Sequence, residues 1–200
     1  MARINESKKA GRGYGTVARL FHWATVLLVL VMLAAGIAMT SEGFEAIGDP
    51  LFILHKNLGV IIFFLVVARL IWRLTHRPDP LPDSLTPLER RVAGASHAAL
   101  YALMLTMTVT GYFRVVGGGF PIELLDALGI PPLVSPSTTP GMEDFATTLS
   151  VIHKVTAFVF VAVIAAHVTA ALNHALILRN GVFRRIWPPV APRGNDRGGV

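Results

Sequence analysis

The chain has 200 residues, of which 53% are hydrophobic, with a mean hydropathy of +0.58 and a formal charge of +6. A soluble domain carries only about 45–50% apolar residues even with glycine counted, so this composition excludes an ordinary soluble protein. The basic charge does not point to nucleic acid either, because no basic stripe interleaved with aromatics sits on a soluble module.

In chain order, residues 1–19 form a basic arm with Arg3, Lys8, Lys9, Arg12 and Arg19. A first apolar segment, 20–40, follows, and the absence of a small-residue cleavage site after it predicts a retained helix and not a signal peptide. Further apolar segments cover 51–74, 92–113 and 150–178. Each is long enough for the roughly 20 residues that cross a hydrocarbon core. The expected fold is therefore all-α, an integral membrane four-helix up-down bundle spanning residues 20–178. A cytoplasmic tail, 179–200, follows, and its proline-rich end from Pro188 is expected to be disordered.

The connections set the expected orientation. The second connection has Arg73, Arg77, Arg90 and Arg91, and the tail holds Arg179, Arg184, Arg185, Arg193 and Arg197. The first connection, "SEGFEAIGDP", has no base, and the third, 114–149, has only Arg114. Lysine and arginine accumulate on cytoplasmic loops, which puts both termini inside and residues 114–149 outside. Within the links, "SLTPLERR" reads as a helix start capped by Ser or Thr, and "IELLDALGI" as a short helix on the outer surface. The third connection is longer than a passive tether usually is.

Histidines carry the chemistry. His153 and His167 are fourteen residues apart, which leaves them about 40° apart around a helix and about 21 Å apart along it. His174 falls on the same stripe. Any one such ring could simply bond a carbonyl on a neighbouring helix. The pattern across helices is less easily dismissed, because His55 enters from the outer face at the depth of His153, and His22 lies near the cytoplasmic face at the depth of His167. Imidazoles paired at two depths are the arrangement expected of two stacked haems, each held between rings from two helices. Zinc is excluded by distance, since its bonds of about 2.0–2.1 Å need all ligands around one point. Cysteine is absent, so attachment through C-x-x-C-H is impossible and the haems would be of the b type. Two imidazoles per iron leave no open position, which favours electron transfer over oxygen activation. Gly36, Gly59, Gly94 and Gly111 could admit a macrocycle or serve close helix packing.

The motifs "RLFHW", "LHKNLG", "SHAALYALMLTMTVTGY" and "IHKVTAFVFVAVIAAHVTAALNHALILRNGVFRRIWP" resemble the bacterial cytochrome b561 family over residues 14–188. The resemblance implies that His22 and His167 ligate one haem b, and His55 and His153 the other. Family members include a superoxide oxidase that passes electrons from periplasmic superoxide to ubiquinone, so the expected activity is that of a superoxide:quinone oxidoreductase. The alternative is a membrane anchor that relays electrons for a separate dehydrogenase or hydrogenase-type subunit, docked through the outer loop. Lys56 and Lys154 directly follow the outer histidines and could draw in an anion; they could equally pair with propionates or snorkel. At the inner end His97 and His174 are candidates for quinone binding, or for interface or propionate bonds.

Overall fold

The computed structural model describes residues 14–77, 80–134 and 141–187. Most of the basic arm, part of the third connection and the proline-rich tail lie outside the described residues. The helices are α1 (Thr16–Ala38), α2 (Gly48–Thr75), α3 (Pro87–Gly117), α4 (Glu123–Ala127) and α5 (Met142–Leu172). The last runs on through a π-helical turn, Asn173–Ile177, and 3-10 turns cover Glu45–Ile47 and Phe183–Arg185. No strand occurs among the described residues, and four helices are long and apolar enough to cross a bilayer.

Local signals account for the boundaries. α3 starts at Pro87, five residues ahead of the apolar segment and within "SLTPLERR", where a capped helix start is expected: Thr86 Oγ1 accepts from Glu89 N at 3.2 Å, and Glu89 Oε2 accepts from Thr86 N at 2.7 Å. This reciprocal box satisfies two donors that a helix start leaves orphaned, and proline at the first turn gives up only an N–H that had no partner. α5 starts at Met142, after Gly141 at φ 81°, a left-handed conformation that glycine adopts without a Cβ clash. The predicted surface helix is the single turn and a half of α4.

Three bonds bring both ends of the described chain together with the α2–α3 link. Tyr14 N donates to Arg185 O at 2.9 Å, Trp23 Nε1 to Ile186 O at 3.1 Å, and Arg185 Nη1 to Pro80 O at 2.7 Å. These segments form one end of the bundle, the terminal end. The α1–α2 and α3–α5 connections form the other, the loop end, so the helices run up and down in turn. α3 packs most extensively on α5, α1 on α2, and α2 on α3. At mid-height Ile62, Val66, Met104 and Phe160 form a buried plug with Leu28, Val29 and Met32 of α1 against it. Leu20, Leu27, Phe64, Ile71 and Phe158 are exposed on the outside, as lipid-facing side chains should be where no water competes for the surface.

Candidate metal centre

At the loop end, α2 delivers His55 and α5 delivers His153 to facing positions. Their ring centroids are 6.4 Å apart with the planes at 73°. Two metal–nitrogen bonds of about 2 Å, plus the ring radii on either side, call for a separation of about 6 Å, so the pair fits an iron held between the imidazoles. A cavity of about 370 Å³ opens around them, bordered by Met32, Gly59, Met107, Arg114 and Phe160. Apolar pockets of cofactor size fall in the range of about 300–1,000 Å³.

Both rings are held by glycine. A Cβ on Gly36 would lie 3.1 Å from His55 Cε1, and one on Gly111 would lie 3.1 Å from His153 Cε1. Of the four helix glycines singled out from sequence, these two touch the rings, whereas Gly59 meets only Met32 at 3.8 Å and Gly94 has open space. The other ring nitrogens differ. His153 Nδ1 is 3.1 Å from Thr110 Oγ1. His55 Nδ1 is buried without a hydrogen bond, although the Met32 backbone lies close enough to interact with the ring. A cavity that borders both rings, a cradle of glycines and a ring spacing matched to iron together fit haem at this level.

The bases expected here part company. Lys56 is only 8% exposed; its Nζ pairs with Glu123 Oε1 at 2.6 Å and donates to Pro121 O at 2.8 Å. Asn57 completes a clamp, donating from Nδ2 to Glu123 Oε2 and accepting the Leu124 N–H, each at 2.9 Å. Burial opposes charge on Glu123, but bonds from Lys56, its own N–H and Asn57 outweigh it and hold the carboxyl below its ordinary range. The charge of Lys56, read from sequence as a lure for an anion, is thus neutralised in fastening α4 to α2. Lys154 is exposed, Arg114 borders the cavity within electrostatic reach of both rings, and neither has an ion pair among the described residues.

At the terminal end His22, His97 and His167 lie within electrostatic reach of one another and of Arg69. His97 and His167 have centroids 5.3 Å apart at 66°, closer than the span across an iron. His97 is therefore a neighbour of His167 and not its partner across a metal. Arg69 Nη2 is 3.1 Å from His22 Nδ1, and a guanidinium only donates. In this arrangement the His22 proton sits on Nε2, and ligation through Nε2 requires Arg69 to move off. Arg69 was not foreseen, yet it follows His55 by fourteen residues, the interval that separates His153 from His167. His174 stands in the π-helical turn, its Nδ1 2.9 Å from Asn180 Nδ2.

Membrane-crossing helices that turn imidazoles inward at two levels define the architecture of a transmembrane b-type cytochrome. The family model of prokaryotic cytochrome b561 matches residues 13–189. Cytochrome b561 homolog 2 of Escherichia coli K12 is 30% identical over 175 residues, covering 86% of this chain and 90% of that protein. A probable superoxide oxidase of Yersinia pestis, CybB, is 25% identical over 169 residues, 84% of this chain and 91% of its own. The protein belongs to the prokaryotic cytochrome b561 family, bacterial membrane electron-transfer proteins that carry haem b.

Proposed function

We propose that the protein oxidises superoxide at its loop end and reduces ubiquinone at its terminal end. In this reading it binds two haems b, one between His55 and His153 and the other between His22 and His167, and the loop end faces the periplasm of an inner membrane. The observation that carries the reading is the 6.4 Å span between the His55 and His153 rings beside a haem-sized cavity. Haem b, when bound, supplies reversible one-electron chemistry. Two superoxide anions give up one electron each and leave as dioxygen, and ubiquinone takes both electrons with two protons.

The chain's own residues supply the rest. Arg114 and the exposed Lys154 give the outer rim a local positive charge, which raises the encounter rate of a small anion. The buried apolar plug around Val66 and Phe160 keeps water from bridging the two levels. Arg69 has no carboxylate in contact among the described residues, so a carboxylate on the bound group is the natural partner that draws it off His22. At the terminal end Asn180 Oδ1 accepts from Val182 N at 3.4 Å, which directs its Nδ2 to donate to His174 Nδ1. The proton of His174 then lies on Nε2, ready to bond a quinone carbonyl, and His97, beside His167, is a second polar candidate at this end. Stopped-flow mixing of the oxidised protein with superoxide tests the reading. Fast haem reduction, reversed by added ubiquinone, is expected. Haem that ignores superoxide, in a protein that co-purifies in fixed ratio with a soluble dehydrogenase, would instead establish the anchor reading.

A further inference from the structure

The bundle contains a repeated device. His22, Met32, Ala35 and Gly36 on α1 recur as His97, Met107, Thr110 and Gly111 on α3, every interval preserved. Likewise His55 and Arg69 on α2 recur in spacing as His153 and His167 on α5. The contacts repeat with the sequence: the Met32 backbone and Gly36 face the His55 ring, and the Met107 backbone and Gly111 face the His153 ring. One position breaks the equivalence. Buried Thr110 meets His153 Nδ1 at 3.1 Å, whereas buried Ala35 has no polar atom to offer, and His55 Nδ1 has no hydrogen bond.

The single hydroxyl proton of Thr110 is already committed. Thr110 Oγ1 lies 2.6 Å from Thr106 O, the stronger of its two carbonyl contacts, the other being Met107 O at 3.3 Å. Since Oγ1 donates to a carbonyl, toward His153 it acts as acceptor, and the proton of that bond comes from Nδ1–H. We infer that Thr110 is a positioning residue that fixes the proton of His153 on Nδ1, leaving the Nε2 lone pair for the iron, while Ala35 leaves His55 without that help. The inference rests on His55 and His153 being the loop-end haem ligands. A ring nitrogen that donates to an acceptor makes the opposite nitrogen a stronger ligand. A stronger donor favours ferric over ferrous iron. The Thr110 bond therefore lowers the midpoint of the loop-end haem, and a hydroxyl at position 35 adds a second decrement from the other side.

Redox titration of purified holoprotein, with haem content measured beside it, tests this. Thr110→Val should shift the reduced-to-oxidised ratio of the loop-end haem at fixed potential up to tenfold toward reduced, up to about 59 mV for a one-electron couple. Ala35→Ser should shift it the opposite way, and Thr110→Ser, which keeps the hydroxyl, should leave it in place. The terminal-end haem should not move in any of them. Unchanged midpoints in both Thr110→Val and Ala35→Ser, with two haems retained, overturn the inference and leave the ligand assignment standing. A shift in Thr110→Ser as large as in Thr110→Val also overturns it, because packing and not the hydroxyl would then be at work. Full haem retention by His153→Ala would overturn the ligand assignment itself.

Discussion

Gly36 and Gly111 leave their histidines almost no slack. A methyl at either position sits 3.1 Å from an imidazole carbon, and overpacking of that kind costs about 1–3 kcal/mol. Gly111→Val is therefore expected to push His153 aside and lower loop-end haem occupancy while sparing the other level, read as haem per protein. Gly94→Ala, in open space, is the control and should retain both. His167→Ala should remove only the terminal-end haem, and His153→Ala only the loop-end one, as difference spectra would record. The histidines could be read from sequence because ionisable groups in apolar helices stand out. Which of four glycines faced a ring could not, since a glycine carries no chemical mark of what approaches it. Thr110 was hidden for a similar reason: threonine in a membrane helix usually bonds its own i−4 carbonyl, as Thr25 does to Phe21 O at 2.6 Å.

The short helix α4 is too small to hold itself in place. A helix of 5 residues is far below the length that is stable alone in water, so its position depends on the clamp from Lys56 and Asn57 to Glu123 and Leu124. The carboxyl of Glu123 is held below its ordinary value of 4.5. Its contribution to the clamp is full above that ordinary range and fades as the pH falls through the lowered one. Protection of the Leu124 amide against hydrogen exchange, corrected for intrinsic rate, should drop in that acid window. Glu123→Gln should lose about tenfold of that protection at neutral pH, in line with the cost of leaving a buried group short of its partner, and show no acid step. The sequence correctly suggested a short helix here. The clamp escaped notice because its partners are some 65 residues apart, and Lys56 beside His55 invited a reading from its neighbour in sequence rather than its neighbour in space.

Across the whole molecule the charges predict orientation and rate. The chain has no cysteine, so single cysteines report topology directly. In intact cells an impermeant thiol reagent should label Ser41→Cys, in the loop-end connection, and should reach Ser84→Cys, in the α2–α3 link, only after lysis. Arg114→Gln with Lys154→Gln should slow haem reduction by superoxide several-fold and flatten its dependence on ionic strength, since steering is screened beyond about 10 Å at 0.1 M salt. Lys56→Gln should act otherwise, by loosening α4. Sequence alone determined the four spans and the two levels of imidazole, because hydropathy and helical period are local properties of the chain. The course of α3 from Thr86 was also locally written, in a capping box. Only the tertiary structure decided that His97 sits beside His167, that Arg69 reaches His22, and that Lys56 fastens α4 to α2. Those outcomes depend on how neighbouring helices are rotated and spaced, and that is set by packing between segments distant in the chain.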